Sequence, residues 1–158
     1  MTNEKFTRLV MKYTDTIFRV ALNIVKSPSA AEDVCQEVFL RLWKNKSDFT
    51  DDQNAKYWLI RVAINEGRRS IASKWNKYEN LDDYAEKLSF QTTEMSDLFY
   101  SVMNLPRKYR IVIYLYYYED YSTVEISKLL SSSEAAVRTQ LHRGRELLKK
   151  DLLEAKNV

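Results

Sequence analysis

Glycine and proline are nearly absent, with two of each in 158 residues. That disfavours a sandwich or a barrel, which needs many tight turns. Cysteine occurs once, at Cys35, so no disulfide can form within the chain and a reducing compartment is its natural home. Histidine also occurs once, at His142. No metal-ligand cluster, Gly-rich phosphate loop or nucleophile elbow is spelled out, so no enzymatic activity, metal or cofactor is expected. The longest apolar run, Ile111 to Tyr118, is far too short to span a bilayer. The N-terminal stretch from Met1 to Lys5 has no apolar segment of the kind a signal peptide carries. A cytoplasmic protein without membrane insertion is expected. Net charge is only +3, so any claim about nucleic acid must rest on where the charges sit.

What is present is helical periodicity. Hydrophobic residues make up 45% of the chain, enough for a packed core. Phe6, Leu9, Val10, Tyr13, Ile17, Val20, Ala21 and Ile24 recur at helical spacing and predict a first amphipathic helix. Ser27, Pro28 and Ser29 interrupt it, and Ser29 with Glu32 reads as a capping box that starts a second helix. The apolar face of that helix is Ala31, Val34, Cys35, Val38, Phe39, Leu42 and Trp43, with Asp33, Gln36, Glu37, Arg41 and Lys44 on the other side. A polar stretch carrying Phe49 follows. A third helix is predicted from about Ala55 to Trp75, with Trp58, Leu59, Val62 and Ala63 inward. Its surface is crowded with cations, including Lys56, Arg61, Arg68 and Arg69, and Glu66 is its single acid.

The balance then turns acidic and the periodicity fades. The expected organisation is two small helical domains, 1–76 and 95–158, joined by a flexible acidic linker over 77–94, with one turn of helix at Tyr84–Leu88. In the second domain the run Arg110–Tyr118 favours a strand by propensity. No partner strand exists in the sequence, so a buried helix is expected and the fold class is all-α.

Three constellations carry functional weight. Tyr121–Leu130, the turn Ser131–Ser133 and the basic helix Glu134–Lys150 read as a helix-turn-helix, which places its second helix in the major groove of DNA. Ser133 is positioned to cap that helix, and Gly144 allows close packing. Ser133, Glu134, Arg138 and Thr139 then face base edges, while Arg143, Arg145 and Lys149 suit phosphates and His142 lies among them. The alternative is an ordinary basic solvent-facing helix. The third helix interleaves cations with Tyr57, Trp58 and Trp75, a pattern that fits single-stranded nucleic acid. The strip Asp33, Gln36 and Glu37 fits a basic partner. Taken alone, each of these last two reads more simply as a solvated helix face.

Together the pieces resemble an extracytoplasmic-function sigma factor, a small bacterial transcription initiation factor of the sigma-70 family. Ala31–Trp43 is similar to the segment that grips the clamp helices of the polymerase β′ subunit. Phe49 and Tyr57–Asn65 resemble the part that opens and reads the −10 element. Leu105–Arg110, Glu125–Leu130 and Val137–Arg145 resemble the domain that reads the −35 element. The resemblance implies polymerase contact through Asp33, Gln36, Glu37 and Arg41. It implies −10 contacts through Phe49, Asn54, Lys56, Tyr57, Trp58, Arg61, Asn65 and Arg68, with 49–54 forming a pocket for a flipped base. The −35 set would be Ser133, Glu134, Arg138, Thr139, His142, Arg143 and Arg145. The implied partners are core RNA polymerase, through its β′ clamp helices and β flap, promoter DNA and an anti-sigma factor. Two positions depart from the family pattern: Ser131 stands where glycine is common, and Arg69 where an acid is frequent. The rival readings are a dimeric helix-turn-helix regulator and a helical adaptor without DNA.

Overall fold

The computed structural model describes residues 1–45, 48–72 and 93–156. Seven helices and no strand occur among the described residues: α1 (Asn3–Val25), α2 (Pro28–Lys44), α3 (Asp52–Ala72), α4 (Thr93–Met103), α5 (Arg107–Tyr117), α6 (Thr123–Leu130) and α7 (Glu134–Lys156). The chain divides into two compact units, Met1–Leu88 and Ser89–Val158. Residues 77–92 of the expected linker, the turn expected at Tyr84–Leu88 and Trp75 lie outside the described residues, and α4 opens at Thr93, just inside the expected end of the linker.

In the first unit α1, α2 and α3 pack on one another in all three pairings. The predicted stripes supply most of the core: Leu9, Ile17 and Val20 of α1, Val38 and Leu42 of α2, and Leu59 and Ala63 of α3 are fully buried, and so are Ile60 and Ile64, which the expected stripe of α3 left out. α3 begins at Asp52, earlier than expected, because Asp51 caps it by accepting the Asn54 N–H at 2.8 Å. The start of α2 is also corrected. Ser27, not Ser29, is its cap, accepting the Ala30 N–H at 3.3 Å, and Pro28 takes the first helical position. Proline suits that place, since its fixed φ is helical and its missing N–H would be an orphan there. Lys26, with φ of 58°, turns the chain between the two helices.

Trp43 departs from its predicted place. It is 55% exposed, with an edge-to-face contact on Phe6 at 5.0 Å. Trp58 is half-buried rather than inward and lies against Phe49, with ring centroids 5.7 Å apart.

In the second unit α5 packs against α4, α6 and α7. Neighbours on three sides explain why Ile111–Leu115 are all buried and why the strand-like composition folds as a helix. Burial overrides propensity here. Arg110 is only 3% exposed and donates to the Met103 carbonyl oxygen at 3.4 Å, at the C-terminal end of α4. Burial first, and the Arg107 charge second, lower its pKa to about 10, so it remains charged at neutral pH. Phe99 sits among Tyr100, Tyr114 and Tyr118 at 6.0–6.2 Å, edge-on to each.

Candidate nucleic-acid interface

The turn between α6 and α7 is built from serines. Ser122 opens α6 with a complete capping box to Glu125. Ser131 closes it in the left-handed region (φ 53°, ψ 45°), where glycine would be unstrained. Ser131 therefore tolerates a strained left-handed turn rather than adopting a different one. The Ser132 N–H bonds back to the Ser127 carbonyl at 2.9 Å, satisfying a helix-end acceptor. Ser133 caps α7 as expected, accepting the Ala136 N–H at 3.1 Å.

Val137, Leu141 and Leu148 bury the inner stripe of α7. Gly144 lies under α5: a Cβ there would meet Ile113 Cγ1 at 2.8 Å and Tyr109 Cβ at 3.3 Å. Arg138, Thr139, His142 and Arg143 are exposed on the outer side, with Ser133 at the tip. Glu134 accepts from the Thr123 hydroxyl at 3.2 Å and lies 3.7 Å from Arg138. The first residue of α6 is thereby tied to the first turn of α7. His142 Nε2 is 3.2 Å from Glu146, an ion pair only when the imidazole is protonated.

Two of the predicted −35 cations also make local contacts. Arg143 and Lys108 stand by the Tyr109 phenol, with Lys108 Nζ 5.0 Å from the ring centroid. Burial alone would raise that phenol's pKa, but the two cations outweigh it and lower it. Arg145 stands apart from the group on the outer side: its Nε donates to the Tyr117 hydroxyl and its guanidinium lies 5.2 Å and 5.5 Å from the Tyr116 and Tyr117 rings. With Leu98, Ile113 and Leu148 it lines an apolar groove of about 410 Å³.

On α3, helical spacing brings Asn54, Trp58, Arg61, Asn65 and Arg68 to one face, with Tyr57 at its border. Asn54, Arg61, Asn65 and Arg68 are exposed. Phe49 joins them through its contact with Trp58. Lys56 does not, since it falls among the packed positions of the helix. The result is a ladder of cations and amides roughly 20 Å long with an aromatic pair near one end.

Along α2, Asp33 and Gln36 are exposed, and Glu37 accepts from Arg41 Nε at 3.2 Å. Arg41 is less a surface residue than a strut. Its Nη2 reaches Glu66 of α3 at 2.6 Å, and Glu66 is 8% exposed. Arg69 lies 3.4 Å from the same carboxylate. Leu40, 50% exposed, and Trp43 continue the outward face of Asp33 and Gln36. Sequence reasoning put Trp43 on the apolar face and gave Leu40 no place. The signal for both was available, since they stand at helical spacing from Gln36. Cys35 lies in a neighbouring hollow of about 320 Å³ with Phe18 and Glu32. Burial and then the Glu32 charge push its thiol up to about 12, so it is not a nucleophile at neutral pH. No group of metal-binding side chains occurs among the described residues, and no described helix is long and apolar enough to cross a membrane.

Residues 9–77 match the family Sigma-70 region 2, and residues 101–148 match Sigma-70, region 4. The ECF RNA polymerase sigma factor SigW of Bacillus subtilis is 30% identical over 167 residues, an alignment spanning 94% of this chain and 89% of that protein. The chain belongs to the ECF sigma factors of the sigma-70 family. Sigma factors act in transcription initiation as regulatory proteins rather than as enzymes. The fold agrees. The sigma factor RpoE in complex with the anti-sigma factor NepR from Bartonella quintana superposes with a TM-score of 0.72 at 15% identity, covering 94% of this chain and 97% of that one. CnrH, solved with the cytosolic domain of CnrY, gives 0.66 at 22% identity, covering 98% and 90%.

Proposed function

We propose that this sigma factor binds core RNA polymerase and directs it to promoters whose −35 duplex and melted −10 strand it reads with separate surfaces. The observation that carries the reading is the outer side of α7, where Ser133, Arg138, Thr139 and His142 project from a helix tied to α6 by the Glu134–Thr123 bond. Those side chains suit base edges, and Arg143 with Lys108 suits phosphates. The α3 ladder takes the unpaired strand, with the segment from Phe49 to Asn54 receiving a flipped base. Asp33, Gln36 and Glu37, flanked by exposed Leu40 and Trp43, meet the β′ clamp helices, and the second unit meets the β flap. The functional division is 1–76 and 95–158, with 77–94 as tether, so that modest affinities at two sites add through effective concentration. An anti-sigma factor, like the one in the structural relative, would hold the free protein inactive, and the protein works in the cytoplasm.

Runoff transcription with purified core polymerase on genomic fragments, including the protein's own upstream region, tests this. Discrete transcripts that require the protein are expected. Promoter-sized fragments bound equally with and without polymerase would favour a conventional dimeric regulator.

A further inference from the structure

Charged side chains of α1 brace the segment that opens α3. Lys5 donates to the Asp48 carboxylate and, at 3.3 Å, to the Phe49 carbonyl oxygen. Arg8 Nη1 and Lys12 Nζ both reach Oδ2 of Asp52, at 2.6 and 2.8 Å. The Tyr13 hydroxyl donates to the Asp52 carbonyl oxygen at 3.1 Å. One helix therefore holds both ends of the stretch that carries Phe49, and Phe49 rests on Trp58 of the strand-binding face. These cations spell no motif, and none of them belongs to the residues that touch DNA in the reading above.

The bracing is not needed to hold the helices together. Leu9, Ile17, Leu59 and Ala63 are fully buried between α1, α2 and α3. Arg8 and Lys12 keep half of their side-chain surface in solvent, and such exposed pairs add little to global stability. Their consequence is local. A segment ordered before binding does not lose that freedom on binding.

We infer that Asp52 is a positioning residue for strand capture: the Arg8–Asp52–Lys12 latch holds the Phe49 segment in the shape that receives an unpaired base. This rests on the capture role proposed above for residues 49–54.

The test uses holoenzyme and fluorescent single-stranded DNA from the −10 region of a promoter found by runoff. Asp52→Asn removes the charge without changing shape. It is expected to weaken strand binding about fivefold and to flatten the preference for the captured base. Affinity for core polymerase and for −35 duplex should stay as in wild type. The double variant Arg8→Ala with Lys12→Ala should reproduce the loss, and adding Asp52→Asn to it should cost nothing more. Asp52→Glu, which keeps the charge, should recover most of the binding. Unchanged strand affinity and base preference in Asp52→Asn would overturn the inference. So would a parallel loss of strand, duplex and polymerase binding, the mark of a merely structural role. A wild-type holoenzyme that captures no strand would sink the capture reading itself, before any variant is made.

Discussion

Each compact unit contains one glycine, and each uses it in the same way. Gly67 of α3 lies where a Cβ would come within 2.8 Å of Ile24 Cγ2, and Gly144 of α7 where it would come within 2.8 Å of Ile113 Cγ1. Neither has positive φ, so both serve a close helix crossing rather than a turn. The units differ in what they build on that crossing. In the first, ion pairs between helices (Arg8 and Lys12 to Asp52, Arg41 to Glu66) fix a loop and a helix face. In the second, caps and close packing fix a single helix: Ser122, Ser133, the Glu134–Thr123 bond and the Tyr109 contact under Gly144. On the reading proposed above, the unit that takes a flexible single strand braces its surface with charge, and the unit that presents a helix to duplex DNA relies on packing and backbone hydrogen bonds.

The glycines give the largest expected effects. Gly144→Ala forces Ile113 and Tyr109 aside and should cost about 2 kcal/mol net, after the gain in helix propensity. Gly67→Ala meets Ile24 first, at Cγ2 and Cβ, and should cost about 1 kcal/mol. Urea unfolding of the two variants measures this, and equal costs would break the claim that the second unit depends more on close packing.

Next comes Arg138→Ala. It should remove roughly 1.5 kcal/mol of discrimination at one −35 base pair while leaving single-strand capture alone. Competition binding with single-position substitutions reads it. A charge reversal, Asp33→Lys, should weaken polymerase binding about fivefold without touching −35 affinity. Polymerase pull-down across a titration measures that loss.

Much of this was legible from spacing. The apolar stripes of α1, α2 and α3, the Ser133 cap and the close packing at Gly144 follow from residue identity and period alone. Ser27 was hidden because Ser29 with Glu32 offers an equally good local pattern, and only Pro28's preference for the first helical position separates them. Trp43 misled because its apolar identity argued for the core, whereas it lies 55% exposed against Phe6 of α1. The roles of Arg41, Arg145 and the latch cations could not be read, since their partners lie far away in sequence: Arg8 and Asp52 are 44 residues apart. Periodicity places a residue on a face but says nothing of what an opposing helix brings to it.

The smallest effect concerns acid. The Asp52 carboxyl is held down to about 2, first by the Arg8 hydrogen bond and then by that of Lys12. In the unfolded chain it titrates near 3.9, so the latch contributes above about pH 4 and is lost as pH falls toward 2. Urea midpoints of wild type and Asp52→Asn should therefore differ slightly near pH 6, and the gap should close in acid. A gap that persists there would place the effect of Asp52 outside its ionisation.

The most direct measurement is a combined footprint of holoenzyme on one promoter, with nuclease protection reporting the upstream duplex and permanganate reactivity reporting unpaired thymines. Wild type should give both signals. Arg138→Ala should weaken the upstream protection, and the double variant Phe49→Ala with Asn54→Ala should lose the unpaired thymines while keeping upstream protection. Loss of both signals together in the Phe49/Asn54 variant, or no footprint at all with core polymerase present, would contradict a protein that reads two forms of DNA with two separately built surfaces.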